Sequence, residues 1–479
     1  MKKCLLLPAL LLVAVLVGSC SEEPPVAPET DSPQIAGLDL DPAAVAAELV
    51  AKSGWVVDEA STGADASSVP TNYVTHVNSE PLHGDIVHYS YDIPVGPGPY
   101  DMIRLHRVVK EGGNDGPIRS RKTIFLLHGD LIGFVKFIFG SVTPYLPDNY
   151  SLAVFLAENG VDVWGMDQNW VLVPGGLADY SFSAGWDVQN QVDNLRAGMS
   201  IAREARLMTG NGFGKLNLLG YSSGGATGYA YINEETQLPP GHRNVKGFIA
   251  ADIGIKFDTS KFEWNRQYWC ETADYYQSLL DSGVYNPGWG DFFTAMGYLA
   301  ETAPDDPSPL IPGFTNLQVA LYLGAVPEVP ENDWYHYVAG IFVDDFPVDL
   351  RFTQIGSWLD FVQTAAPFEP LSFTAEYSRL FCDEVDLPYD DYLDEVTIPV
   401  LLVSAAGGFG ETGFYSLDLL GSSDKTIHHV SLNPPELLDF GHIDLWTADN
   451  SKMDAWVPIL EWIDDRTPGR GNTGQKHSD

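Results

Sequence analysis

Five short apolar runs recur along the chain: "TIFLLHG" at 123–129, "VDVWGMD" at 161–167, "LNLLGYS" at 216–222, "KGFIAAD" at 246–252 and "IPVLLVSA" at 398–405. Unbroken runs of this length fit a parallel sheet that is covered on both faces. Before them, "DIVHYSYDIPV" and "DMIRLHRVVK" read as an antiparallel opening pair, and "KTIHHVSL" reads as a last strand. Helical stretches lie between. In "WDVQNQVDNLRAGMSIAREARL", Val188, Val192, Leu195 and Met199 follow one another at spacings of four, three and four, which is one face of a helix. Alternating strands and helices predict an α/β doubly wound domain with a mostly parallel sheet.

One interval breaks that rhythm. From Ile253 to Ile398 no convincing core strand occurs, and the stretch is rich in Trp, Tyr, Phe and Pro. It reads as a largely helical cap, 254–396, inserted before the last two strands of a core made of 51–253 and 397–466. An independent domain is the alternative. The length of 479 residues fits one large domain with an insertion as well as the three that about 150 residues per domain would suggest.

The ends differ from this body. Lys2 and Lys3 precede the apolar run Leu5–Val17, too short for a membrane span, so 1–20 reads as a secretory signal peptide. Its end, "LVGSC", resembles a bacterial lipobox, which implies lipidation of Cys20 and an exported lipoprotein of the outer membrane or cell surface. Residues 21–50 read as a Pro-rich acidic linker and 467–479 as a polar tail. Of the two remaining cysteines beyond Cys4 and Cys20, Cys270 and Cys382 are either a disulfide or two separately buried thiols. The net charge of −39, from 65 acidic and 26 basic residues, argues against nucleic acid and other polyanionic partners.

The candidate chemistry begins where "LNLLGYS" ends. Gly220-Tyr221-Ser222-Ser223-Gly224 fits G-x-S-x-G, in which a strand turns sharply into a helix and presents the serine at the tip. A buried strand before it and the small residues Gly225, Ala226 and Gly228 after it supply the context that a chance match lacks. Ser222 is therefore the candidate nucleophile; around Ser223 the flanking positions would be Tyr221 and Gly225. A serine needs a base. His442, in "LLDFGHIDLW" after the last strand, sits in a loop able to carry an imidazole back to the elbow. The acid that orients it is Glu411 as first choice, the first carboxylate after "IPVLLVSA", with Asp252 and Asp418 as alternatives. Backbone N–H groups of Ser223 and Asp130 are the candidate oxyanion donors, and the Asp130 side chain must then point away. His128 reads as structural.

Together these residues resemble the α/β-hydrolase superfamily over about 75–465. The stretches "LLHGDL", "FLAENGVDVWGMDQNW", "GYSSGG" and "FGHIDLW" are most similar to the acid lipase family of gastric and lysosomal lipases. That resemblance implies hydrolysis of carboxylic esters through an acyl-enzyme without metal or cofactor, on a small-molecule or lipid ester. The chain departs from the family at Tyr221 and Ser223, where His and Gln are usual, and at Asp130, where Leu is usual. Two other readings share the fold: an exported serine peptidase or amidase, and a non-catalytic binding protein. No H-E-x-x-H or C-x-x-C occurs, and "TGNGFGKLN" lacks the first Gly and the Ser or Thr of a phosphate loop, with Thr209 and Leu216 in those places.

Overall fold

A computed structural model describes residues 40–57, 73–112, 116–327, 335–432 and 435–467. The signal peptide, Cys20 and nearly all of the polar tail lie outside them. Among the described residues, one ten-stranded sheet organises the chain. Its strands are β1 (His76–His83), β2 (Ile86–Pro94), β3 (Met102–Gly112), β4 (Gly116–Pro117), β5 (Thr123–Leu127), β6 (Asp162–Asp167), β7 (Leu216–Tyr221), β8 (Val245–Ala251), β11 (Val400–Ala405) and β12 (Lys425–Val430). β9 (Gly340–Val343) and β10 (Phe346–Leu350) form a separate hairpin. The sheet order is β1-β2-β3-β6-β5-β7-β8-β11-β12, with β4 on β3. From β6 to β12 neighbours run parallel, and β1–β3 are antiparallel.

The five apolar runs became five central strands, every residue of β5, β6, β7 and β11 being buried. Helices close both faces. Val188–Met208 and Ser223–Glu235 cover one, where Phe125, Leu218 and Phe248 pack with Val192, Leu195 and Met199. Leu152–Glu158 and Val457–Asp465 cover the other, around Trp456, Ile459 and Trp462.

Besides the short β4 and the β9–β10 hairpin, two elements had no counterpart in the sequence reading. β1 extends the antiparallel edge. The last residues of the expected linker, from Pro42 onward, form a helix, Pro42–Lys52, that buries Val45, Leu49 and Val50 in the core. Asp41 caps it through its side chain, and Pro42 at the first turn lacks an N–H that would have been orphaned there.

Among the described residues, the interval between β8 and β11 holds five α-helices, Thr259–Asp281, Trp289–Thr302, Asn316–Ala325, Ile355–Gln363 and Leu371–Cys382, together with the β9–β10 hairpin. It has its own core around Phe293, Met296, Leu321, Trp358 and Phe361. A Cys270–Cys382 disulfide ties its first helix to its last, 112 residues apart. Among the described residues, the group of side chains spaced to hold a metal is Cys270, Cys382 and Glu384, and its two sulfurs are bonded to each other. No helix of the described residues is long and apolar enough to cross a membrane.

Candidate active site

The loops after β5, β7, β8, β11 and β12 all leave the carboxyl ends of parallel strands, so they gather at one edge of the sheet. Ser222 sits between β7 and the helix Ser223–Glu235 with φ 55° and ψ −133°, a conformation that costs a non-glycine residue energy. The surroundings enforce it. The Ser222 N–H donates to Ala251 O at 3.1 Å, and its carbonyl accepts from Gly225 N at 2.7 Å. A Cβ at Gly224 would collide with the His128 carbonyl, so the helix approaches β5 only because glycine stands there.

His442 is 3% exposed. Its ring lies nearly parallel to Tyr221 at 4.5 Å between centroids, and the Tyr221 hydroxyl donates to the His442 carbonyl at 3.1 Å. His442 Nδ1 lies 2.6 Å from Asp252 Oδ2. Asp252, fully buried and with φ 47°, also accepts from Ala405 N at 2.8 Å and from Phe409 N at 3.2 Å. Because the carboxylate only accepts, Nδ1 carries the proton toward it and Nε2 is left as the base.

The carboxylate at the imidazole is thus Asp252, not the first choice Glu411. The chain after β11 turns at once: Gly407 pairs with Gly441, and Phe409 N is spent on Asp252. Glu411 then falls on the short turn Gly410–Gly413 with its side chain exposed, and Asp418 is exposed on the next helix. A carboxylate at the end of a buried strand was the visible signal for Asp252.

Ser223 begins the helix after the elbow, and Asp130 follows Gly129, where a Cβ would stand 2.5 Å from Ser222 Cβ. The loop after β5 therefore lies directly against Ser222. The Asp130 carboxylate is turned to the cap, where Tyr377 Oη donates to Oδ2 at 2.9 Å. His128 supports the loop: its Nδ1 donates to Gly129 O at 2.8 Å and its Nε2 accepts from Gln168 N at 3.0 Å. Burial pushes its imidazole down to about 4, so it is neutral.

Ser222, Ser223, Asp130 and His442 open onto one cavity of about 160 Å³ between sheet edge and cap. Its apolar wall includes Trp269, Trp289, Phe293, Trp358, Phe361 and Phe381. Buried polar residues that sequence reasoning missed also line it, among them Lys136, Glu369 and Tyr377. Lys136 Nζ stands 4.5 Å from the Tyr221 ring centroid, and burial lowers this lysine to about 7 against the pull of Asp130 and Glu369.

Comparison with solved structures fixes the architecture. A Sulfolobus solfataricus protein provisionally named a lipase superposes with a TM-score of 0.53 at 18% identity, covering 81% of this chain and 99% of that one. The chain has the α/β-hydrolase fold. Weaker matches to this hydrolase fold include a Saccharomyces cerevisiae monoglyceride lipase in complex with a substrate analogue (TM-score 0.41, 14% identity, 84% and 98% covered) and a Mycobacterium smegmatis proline iminopeptidase (TM-score 0.37, 14% identity, 81% and 98% covered). No protein-family model matches the chain, and no curated protein sequence does.

Proposed function

We propose that the protein is a serine hydrolase of carboxylic esters acting through an acyl-enzyme. The observation that carries this reading is the strained Ser222 elbow opening onto the same cavity as an imidazole hydrogen-bonded to buried Asp252. Ser222 Oγ attacks the ester carbonyl as its proton passes to His442 Nε2. Asp252 fixes the tautomer and stabilises the imidazolium. The Ser223 and Asp130 N–H groups receive the negative oxygen of the tetrahedral intermediate. His442 then protonates the leaving alcohol, and water activated by the same imidazole frees the acid. The aromatic wall supports an apolar acyl group. The acid-lipase resemblance of "FGHIDLW" supports an ester rather than an amide.

A fluorophosphonate tests this. It is expected to label Ser222, and His442→Ala is expected to abolish labelling. Ser222→Ala should lower kcat on chromogenic esters by roughly 10⁴-fold or more. Label on another serine, or cleavage of peptide anilides in preference to esters, would overturn the reading.

We also propose export with lipidation at Cys20. "LVGSC" supports it, and so does a disulfide in the cap, since such bonds persist in oxidising compartments. Cys20→Ser should move the protein from membranes to the soluble fraction; unchanged partitioning into detergent would end the idea.

A further inference from the structure

The cap touches the oxyanion loop at three points. Ala366 N donates to Leu131 O at 2.7 Å, Leu131 N donates to Glu369 Oε2 at 3.1 Å, and Tyr377 Oη donates to Asp130 Oδ2 at 2.9 Å. Between the first two contacts Leu131 is held at φ 60°, in the left-handed region that a leucine adopts only under constraint. Leu131 directly follows Asp130, so its backbone angles and those of its neighbours set where the Asp130 N–H points.

The two carboxyl groups of this contact are also neighbours. Glu369 is 3% exposed, its Oε2 accepts from the N–H of Leu131, the residue after Asp130, and both residues line the same cavity. Asp130 Oδ1 and Glu369 Oε1 are both buried without a donor among the described residues. Two adjacent carboxylates in so dry a place repel strongly, and each orphaned oxygen costs desolvation energy. One proton removes both penalties, because a carboxylic acid donates where a carboxylate only accepts.

We propose that Glu369 of the cap and Asp130 of the core share one proton, and that this pair is a positioning device that holds the oxyanion loop in its reactive shape. This rests on the serine-hydrolase reading. Glu369 carries the proton and donates it toward Asp130, while its other oxygen keeps the Leu131 N–H. Burial first, and the Asp130 charge second, hold the Glu369 carboxyl well above the usual carboxylate range, in keeping with that assignment. The groups that face the pair are Lys136 after β5, Tyr221 at the end of β7 and Tyr377 on a cap helix, with Tyr276 near Tyr377; the imidazole of the His442–Asp252 couple stacks on Tyr221. As Lys136 loses its proton near pH 7 the pair holds its own more tightly, because a nearby positive charge has gone. At higher pH the shared proton leaves, two negative groups face each other, and the clamp on Leu131 opens.

Glu369→Gln is the informative variant, since its amide donates to Asp130 and accepts from Leu131 without titrating. Its kcat at neutrality sets the plateau against which its own pH profile is read. Its alkaline fall in kcat should move up by at least about one pH unit, a tenfold change in proton affinity, or vanish. Glu369→Ala should lose roughly 10²-fold in kcat, the scale of one oxyanion donor, with KM nearly unchanged. The wild-type-minus-Glu369→Gln infrared difference spectrum at neutral pH should contain the C=O band of a protonated carboxyl, and Asp130→Asn should shift that band. Coincident alkaline limbs in wild type and Glu369→Gln, or the lack of the band, would overturn the proposal. The infrared arm reads the proton without turnover. A wild-type chain that shows the band yet takes no fluorophosphonate label would therefore overturn the hydrolase reading and leave the shared proton standing.

Discussion

Ser222 and His442 are flanked by two buried carboxyl sites of opposite construction. Asp252 belongs wholly to the sheet domain and is surrounded by donors: Ala405 N, Phe409 N and the His442 imidazole. Glu369 comes from the cap and finds one backbone donor, Leu131 N, besides another acid. The difference follows from the elements behind each. β11 runs two residues past its last pairing with β8, so its end and the loop beyond it turn free N–H groups toward a carboxylate at the end of β8. Glu369 instead stands in the irregular stretch just before the helix Leu371–Cys382, away from any strand end, and meets Leu131 N and side chains. One site stabilises a charge; the other invites a proton.

The largest blow to the core side of this contrast is Asp252→Asn. It should lower kcat by roughly 10⁴-fold with the fold intact, as loss of the orienting acid does elsewhere, while Glu411→Gln stays close to wild type. Steady-state kinetics of both variants decide it; a crippled Glu411→Gln beside a healthy Asp252→Asn would reverse the assignment. The cap side is struck next by replacing Cys270 and Cys382 with serine. In the loop-entropy model the cross-link of a loop this long contributes at most about 4.7 kcal/mol, and urea unfolding should show a loss of that order or less. A variant as stable as wild type would show that the cross-link does not hold the cap.

Acid returns to the core at smaller cost. Burial, helped by neighbouring His106 in the first case, pushes the imidazoles of His88 and His128 down to about 4 from 6.5. Their contribution is complete above about pH 6.5 and falls as the pH drops toward 4, because the unfolded chain takes up protons that the folded one refuses. The loss at pH 5 is about 2 kcal/mol for each imidazole. Urea midpoints at pH 7 and pH 5 measure it, and His88→Gln should narrow the gap between them.

The strands were legible because they are buried on both faces, and burial writes itself as uninterrupted Val, Leu, Ile and Phe. β1, "HVNSEPLH", is an edge strand exposed over most of its length, so it has no such signature. The helix at Pro42 was hidden for another reason: Asp41 and Pro42, which start it, also belong to the vocabulary of linkers. Ser222 stood out because it ends a recognisable strand pattern, and His442 because it lies in the loop after the last one. The choice among Asp252, Glu411 and Asp418 required three dimensions, since strand ends produce several acids and only one of them reaches the ring. Glu369 was beyond any sequence argument. Its contact with Leu131 spans 238 residues, and the cap that carries it follows no periodicity tied to the sheet.

The disulfide bears on how the Asp252 pocket is assembled in time. Asp252 acquires its donors only when β11 docks beside β8, and the whole cap lies between those strands in sequence. Closing a loop becomes harder by about 0.6 kcal/mol with each doubling of its length. Once Cys270 and Cys382 are joined, the path from Ala251 to Val400 shrinks about fourfold, an entropic saving of about 1.2 kcal/mol on strand docking. A chain oxidised early therefore meets a shorter search before Ala405 and Phe409 reach Asp252, whereas a reduced chain makes that search with the entire cap as a free tether.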